Sequence, residues 1–455
     1  MTITLSIDNK KLGEKELKRS INYLGSKFRL LPQIKELIDY VDKSQGKVCD
    51  LFAGSGMVSR YLSMYRSVMA CDIQEYSCVL TKAQILPIED KIDATQFAEK
   101  CMNSKYANDF FEVMSEIIVY EQECFDKAKS GVVEFLYEII EKGSLISYEK
   151  QGEKYISDKL ESVLKRTINK MKNKGWLEST DSMLTRYYGG IYFSYYQTIV
   201  MDILSHEIFK YNGIKKDILL AALISTASEI VNTVGKQFAQ PLKVRDKEHK
   251  LKKSLYKKIQ KDRTLDTVLI YIKWLKYYLD LPKSNKNNLV LRGNFDDALD
   301  KLEEENVKIV YADPPYTRYH YSRYYHVLES ICLRDNPEIS ITYSNGLSKL
   351  SRGIYRNDRY QSEFSIKTKA EKAFEELFKK ICKLNIPLIL SYSPFEPSQA
   401  VTPRLQTIEQ LVNKAKEYFN YVEVVSPGKF KHNKLNTVKN NLEASDEAEL
   451  LILCK

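Results

Sequence analysis

The sequence predicts an α/β fold: a mostly parallel sheet with helices on both faces, interrupted by a long, largely helical insertion. Three observations carry this reading. Short apolar runs alternate with helical spacing at both ends of the chain, the pattern of a sheet buried on both sides. A glycine turn, Ala53-Gly54-Ser55-Gly56, joins the first such run to the first helical stretch. From about residue 101 to 284 the strand signals vanish, and amphipathic stretches follow one another with few prolines.

Lys47 to Phe52 is the first strand candidate, of a length suited to a buried parallel strand. Met57 to Leu62 takes up helical spacing, and Ser67 to Cys71 reads as a second strand ending on Asp72. Strand, glycine turn, helix, strand, acid is the opening of a Rossmann-like unit. Inside the insertion, Phe111 to Ile140, Tyr187 to Phe209 and Lys216 to Val234 read as helices. Sheet logic resumes at Asn288, with strand candidates at 289–291, 307–312, 387–392, 421–425 and 449–453. Helical patterns at Ala370 to Cys382 and Thr407 to Phe419 separate several of them. The last two strands have no helix between them, which suits an antiparallel pair. The expected domains are 1–100 and 285–455 as two parts of one α/β domain, with 101–284 as the insertion.

Composition narrows the class without naming a function. Of 455 residues, 44% are hydrophobic and 29% charged, as in a globular protein rather than a disordered one. Seventy Lys and Arg against 60 acids give a net charge of +10, which permits nucleic-acid binding without demanding it. The eight cysteines are scattered, with no C-x-x-C pair, and read as reduced thiols of a cytosolic protein. The N-terminus lacks the apolar run of a signal peptide, and no stretch approaches the ~18 apolar residues of a membrane span. A cytoplasmic location and no membrane contact are expected.

Two local features carry chemistry. Gly54 and Gly56 would let the backbone approach a nucleotide-like ligand, and Asp72 at the next strand tip can take two ribose hydroxyls. An ordinary tight turn is the plainer alternative. The third glycine of a dinucleotide fingerprint is missing, Arg60 and its neighbours occupying that region, which favours a ligand without phosphates. Asp313-Pro314-Pro315-Tyr316 directly follows a buried strand. The paired prolines fix an extended, rigid turn, so an acid and a ring are held at the strand's C-terminal end, where ligands of open α/β sheets bind.

Taken together, Ile21-Asn22-Tyr23-Leu24-Gly25-Ser26-Lys27 with Leu30-Leu31-Pro32, Asp50-Leu51-Phe52-Ala53-Gly54-Ser55-Gly56, Asp72-Ile73 and Asp313-Pro314-Pro315-Tyr316 resemble the Dam-like class of DNA adenine-N6 methyltransferases. The order also matches: cofactor motifs, an insertion, then the catalytic strip. The resemblance implies a Rossmann-like methyltransferase sheet and makes the insertion a target-recognition domain. It implies S-adenosylmethionine as cofactor, double-stranded DNA as partner, and a restriction-modification setting with a cognate restriction nuclease on the same site. Tyr23, Gly25 and Lys27 would line the cofactor site. Asp50, Phe52, Gly54 and Gly56 would lie under the methionine part, with Asp72 and Ile73 at the ribose. Asn294 and Phe295 sit where the class has an acid and a Phe contacting the cofactor's adenine; an Asn still accepts from an exocyclic amine but lacks the charge. Asp313 and Pro314 would accept from the target amine, and Tyr316 would stack on a flipped-out adenine. No metal is expected.

Several weaker signals have two readings each. Tyr319-His320-Tyr321 and Arg323-Tyr324-Tyr325-His326 would either clamp the flipped base or pack on the sheet. His320, His326 and Glu329 lack the ligand set of a metal site. Arg352-Gly353 and Arg356 to Arg359 read as a basic loop that tracks DNA or is merely solvated. The crowd Tyr187, Tyr188, Tyr192, Phe193, Tyr195 and Tyr196 favours a helical core over base stacking. Between Lys236 and Arg263, eleven Lys or Arg stand against three acids, a DNA-contact candidate or a solvated face. Rival functions are cytosine-N4 methylation, whose enzymes more often carry Ser at the first position of the strip, methylation of RNA or of a protein amine, and a DNA-binding module with an inactive core.

Overall fold

The computed structural model describes residues 17–152, 156–283, 286–318, 320–344, 347–394, 404–427 and 449–455. Nine strands appear among them: β1 (Lys47–Asp50), β2 (Val68–Asp72), β3 (Leu289–Arg292), β4 (Val307–Ala312), β5 (Ile341–Ser344), β6 (Leu347–Leu350), β7 (Leu388–Tyr392), β8 (Val422–Val425) and β9 (Leu450–Cys454). The chain divides into two compact units. One comprises residues 1–87, 281–322 and 360–455; the other comprises 88–280 and 323–359.

The first unit is built on a seven-stranded sheet of order β3-β2-β1-β4-β7-β9-β8. Its pairs are parallel from β3 to β7, and β9 runs antiparallel to both β7 and β8. The expected antiparallel pair at the end of the chain is thus present. Alternate residues of each strand enter opposite cores, as the period of two requires. On one face Cys49, Met69, Val310, Leu388, Leu390 and Ile452 pack with Phe374, Leu377, Phe378 and Ile381 of the helix Ala370–Lys383. On the other, Val48, Val68, Ala70, Ile309, Ile389 and Leu453 pack with Ile34, Leu37 and Ile38 of the helix Leu31–Val41 and with Leu62. Truncating a fully buried member such as Leu377 to Ala costs about 2–5 kcal/mol. β1 and β7 are buried along their whole length, which explains their unbroken apolar runs.

Asn288 pins the point where the excursion into the second unit leaves and returns. Its Oδ1 accepts from Val68 N–H at 2.9 Å, and its Nδ2 donates to Ile85 O at 3.2 Å.

The second unit is largely helical, with one hairpin, β5-β6. Its compact boundaries differ from the expected insertion: it begins at residue 88 and takes in 323–359 as well. Two of the expected helices are each two. Lys105–Lys129 and Glu134–Lys142 are separated at Gly131, which has φ +99°. Met183–Tyr188 and Tyr195–Ile208 are separated at Gly189-Gly190. A Cβ on Gly189 would lie 2.6 Å from Thr185 O, and Gly190 takes φ +77°. Ser194 then restarts the chain with a capping box, its hydroxyl accepting from Gln197 N–H while the Gln197 side chain accepts from Ser194 N–H. The third expected helix is Gly213–Ile230.

The tyrosine crowd is core: Tyr187, Tyr188, Tyr192, Phe193 and Tyr195 are buried, and Tyr196 alone of the group is exposed. Buried Asp202 accepts from Leu184 and Thr185 N–H, capping the helix they begin. A few of the basic side chains are internal, although most of those between Lys236 and Arg263 are exposed. Arg356 is buried, in a two-pronged pair with Asp335 at 2.6 and 2.7 Å and a contact to Asp358 at 2.8 Å. Arg352 donates to Leu242 O and Arg359 to Ser340 Oγ. Within 352–359, Arg356 is therefore internal, Arg359 is half-buried and Arg352 is exposed. Arg263 is buried too, donating to Glu121 at 3.1 Å and to Gly190 O at 2.7 Å. Burial raises the Glu121 carboxyl to about 7 in spite of that guanidinium. Arg263→Met leaves this carboxylate without its counter-ion, and a loss of about 3–5 kcal/mol is expected. Urea unfolding followed by circular dichroism measures it, and an unchanged midpoint would refute the structural role.

Candidate active site

The strand order reverses between β1 and β4. Chain direction from β1 runs outward through β2 to β3, whereas from β4 it runs outward through β7. Such a switch point leaves a crevice outside the carboxyl ends of the two central strands. Asp50 ends β1 and Asp313 follows β4, so both carboxylates stand at this crevice.

A cavity of about 1170 Å³, measured out to solvent, opens there within the first unit. Nearly every expected site residue lines it: Tyr23, Gly25, Lys27, Asp50, Phe52, Gly54, Asp72, Ile73, Asn294, Phe295, Asp313, Pro314 and Tyr316. Gly56 does not. Its φ of +75° starts the helix Met57–Ser63, and a Cβ would lie 2.6 Å from Thr81 Oγ1 and 2.8 Å from Gln84 Nε2. Glycine is required at 56 for the turn and for close helix packing. At Gly54, with φ +56°, the space of a side chain is filled by the Tyr23 ring 2.8 Å away. The N-terminal segment therefore lies directly over the glycine turn.

The carboxylates differ in how they are held. Asp50 is buried and accepts from Ser59 Oγ at 2.6 Å; burial, aided by Asp313 and Asp72 nearby, raises its pKa to about 7. Asp72 accepts from Gly54 N–H and Gln74 N–H, both at 2.9 Å, and burial still pushes its pKa up. Asp313 Oδ2 lies 2.8 Å from Lys27 Nζ, which also lies 3.3 Å from Glu449 Oε1. Burial opposes charge on Lys27, but Asp313 and Glu449 outweigh it and hold its pKa well above the ordinary value.

The apolar wall is aromatic. Phe52 and Phe295 both pack edge-on against Phe364, at 5.4 and 5.2 Å between ring centroids. Asn294 caps the helix Phe295–Leu299: its Oδ1 accepts from Asp297 N–H at 3.0 Å, and Asp297 Oδ2 accepts from Asn294 N–H at 2.8 Å. This gives a structural reason for Asn, a good N-cap, at 294. One lone pair of Oδ1 is thereby engaged, and the amide has another. Tyr316 is mostly buried, packed against Tyr392 at 5.2 Å, with Arg404 Cζ 5.0 Å from its centroid.

Of the weaker signals, His320 and Tyr321 reach the cavity. Tyr319 lies outside the described residues. His326 is fully buried in the second unit against Tyr188, Tyr192 and Tyr355. Among the described residues no group of His, Cys, Asp or Glu is placed to hold a metal, and no helix is long and apolar enough to cross a membrane. None of the eight cysteines forms a disulfide. Sequence reasoning missed Tyr360, Gln361, Ser362 and Ser365, which line the cavity, and Glu449 behind Lys27. No local motif marks them.

A family model for the D12 class N6 adenine-specific DNA methyltransferase matches residues 23–154 and 275–389, more than half of the chain. The chain belongs to this family. The matched stretches contain the glycine turn, Asp72 and the Asp313 strip, and membership of a methyltransferase family implies a methyl donor. Modification methylase LlaI of Lactococcus lactis subsp. lactis is 26% identical over 404 residues, covering 88% of this chain and 49% of its own length. Modification methylase StsI of Streptococcus sanguinis is 26% identical over 377 residues, 82% of this chain and 44% of that protein. Type II methyltransferase M.FokI of Planomicrobium okeanokoites is 25% identical over 322 residues, 70% and 38%. The chain thus spans half or less of these relatives' length.

The glycine turn is testable without a ligand. Gly54→Ala forces a left-handed alanine against the Tyr23 ring, and a cost of about 1–2 kcal/mol is expected. Thermal unfolding should fall by a few degrees, and an unchanged midpoint would mean that Tyr23 does not rest on the turn.

Proposed function

We propose that the chain transfers a methyl group from S-adenosylmethionine to N6 of an adenine flipped out of double-stranded DNA, as the modification enzyme of a restriction-modification system. The observation that carries this reading is the pair Asp50 and Asp313 at the switch point. A crevice lined by Asp50, Asp72 and Asp313 against Lys27 suits a cationic ligand with a ribose. Bound there, a sulfonium donor supplies an electrophilic methyl group. The donor set fits it: Asp72 stands at the tip of β2 for the ribose hydroxyls, and Phe295 and Asn294 offer an apolar wall and an acceptor for the adenine.

The target amine is a poor nucleophile, because its lone pair is delocalised into the purine. Asp313 carboxylate and Pro314 carbonyl accept its hydrogens and draw the nitrogen toward tetrahedral geometry, which frees the lone pair. Positive charge moves onto that nitrogen as the methyl group parts from sulfur, which keeps the bonding pair as a neutral thioether; the carboxylate stabilises the charge until the surplus N6 proton passes to solvent. Lys27 holds Asp313 in place, so alignment is set before the base arrives. Tyr316 supplies ring surface beside the base. The helical unit is the part that reads the target site, and DNA in a cell containing the relatives' type of system would also meet a cognate nuclease. Asp313 rather than Ser favours adenine-N6 over cytosine-N4.

Incubation with labelled S-adenosylmethionine and duplex DNA is expected to yield N6-methyladenine. Asp313→Ala should lower turnover by about 10³-fold or more while donor binding survives. Product found only as N4-methylcytosine, or an active Asp313→Ala variant, would overturn the reading.

Asp50 makes donor binding pH-dependent. Its carboxyl titrates at about 7, and only the ionised form attracts a sulfonium, so affinity should rise from about pH 6 to about pH 8 by up to roughly tenfold. Calorimetry in buffers of different ionisation heat should show proton release near neutrality, and Asp50→Asn should flatten the profile. A wild-type affinity that is constant over this range would exclude Asp50 from the donor site.

A further inference from the structure

Lys27 answers two carboxylates, and the second lies outside both stretches matched by the family model. Glu449 immediately precedes β9 and does not line the cavity. Its side chain is 0% exposed and that of Lys27 3%, while that of Asp313 is 21% exposed. Asp313 is thus the most open of the three to the cavity, Lys27 is a nearly buried part of its wall, and Glu449 is sealed behind them. Ser391 Oγ in β7 donates to the same Glu449 Oε1 at 3.0 Å. The lysine contacts are 2.8 Å to Asp313 and 3.3 Å to Glu449.

Charge decides what such an arrangement does. One ammonium against one carboxylate is neutral, and much of Asp313's power to accept a hydrogen bond would go to Lys27. Within this trio two carboxylates share one ammonium, so Lys27 by itself compensates each only in part; Arg404, with Cζ 5.0 Å from the Tyr316 ring centroid, is a further cation of the surroundings. Burial makes this division strong, because little solvent screens it.

We propose that Glu449 is a positioning residue for methyl transfer: sharing the Lys27 ammonium, it leaves Asp313 anchored yet incompletely neutralised, a stronger acceptor for the target amine beside a cationic donor. The inference rests on the donor and target proposed above. The competing role is purely structural, a tie between β7 and β9 through Ser391.

Glu449→Gln in the full chain separates these roles, since it keeps size and an accepting oxygen but removes the charge. Binding of S-adenosylmethionine and of the neutral S-adenosylhomocysteine is measured by calorimetry, with turnover against pH alongside. The variant is expected to lose about fivefold in its preference for the cationic ligand, with affinity for the neutral one unchanged. Its kcat should fall roughly tenfold at constant KM for DNA. The acidic limb of the kcat profile should move to lower pH, because Asp313 then holds the whole ammonium and sheds its proton more readily. An unaltered preference with an unmoved limb, or equal weakening of both ligands, would overturn the proposal. Ser391→Ala, which removes a hydroxyl from Glu449 and Tyr311 but leaves the Glu449 charge in place, should lower the melting temperature and leave the preference intact; reproducing the Glu449→Gln change would establish the structural role instead. Should Glu449→Gln not fold, Glu449→Asp keeps the charge and must retain both preference and limb, and their loss would overturn the proposal. Wild-type protein that binds both ligands but methylates no DNA would defeat the proposed target and leave the preference ratio as the test of Glu449. Wild-type protein that binds neither would defeat the donor reading and this inference with it.

Discussion

The ammonium of Lys27 joins three parts of the chain that are far apart in sequence: the segment before the first strand, the strip after β4, and the approach to β9. Placing charges at the end of a parallel sheet is costly unless each has a partner, because burial disfavours ions by several kcal/mol apiece. The surroundings of the crevice follow from meeting that requirement. Ser59 serves Asp50, the backbone of Gly54 and Gln74 serves Asp72, and Lys27 serves Asp313. The glycine turn is shaped as much by this as by any ligand. Gly54 must take φ +56° with its N–H on Asp72 and Tyr23 packed where a side chain would be.

Much of the crevice was legible because its chemistry sits in short local motifs at strand ends. Asp50, Asp72 and Asp313 each end or follow an apolar run, and a buried strand followed by an acid needs no tertiary knowledge to recognise. Glu449 and the Tyr360–Ser365 segment were not legible, since only the closing of the sheet brings them to the site. The helix breaks at Gly131 and Gly189-Gly190 were visible as glycines, but apolar spacing runs straight through both and hid them. The hairpin β5-β6 gave no strand signal for the opposite reason: Ile341 and Tyr343 are exposed, so no buried face imposed an alternation.

Charge was the least informative feature. A net +10 does not tell which cations lie at the surface: Arg66, Arg263 and Arg356 are buried and matched by acids of their own unit, so the excess charge is carried by other residues. Arg356 illustrates the difficulty: Asp335 lies twenty-one residues away in sequence and Asp358 only two, and nothing in a linear reading ranks either above a phosphate as its partner. Asn294 makes the same point for a polar side chain. It caps a five-residue helix, a task that Asn and an acid perform equally well, so the cap accounts for a polar residue at 294 but not for the lost charge.

The pinning of Ile85 and Val68 by Asn288 bears on the order in which the polypeptide acquires its shape. During synthesis β1 and β2 emerge long before β3 and β4, so two strands of the central sheet must wait, unpaired on their outer edges, while the excursion is made. Closing so long a loop as a random chain would be entropically unfavourable and slow. An excursion that has already condensed into its own compact helical unit shortens the effective loop, and Asn288 then fastens its two ends. The edges of β1 and β2 are the exposed surface during that interval, and their shortness, four and five residues, limits their capacity to pair with another chain.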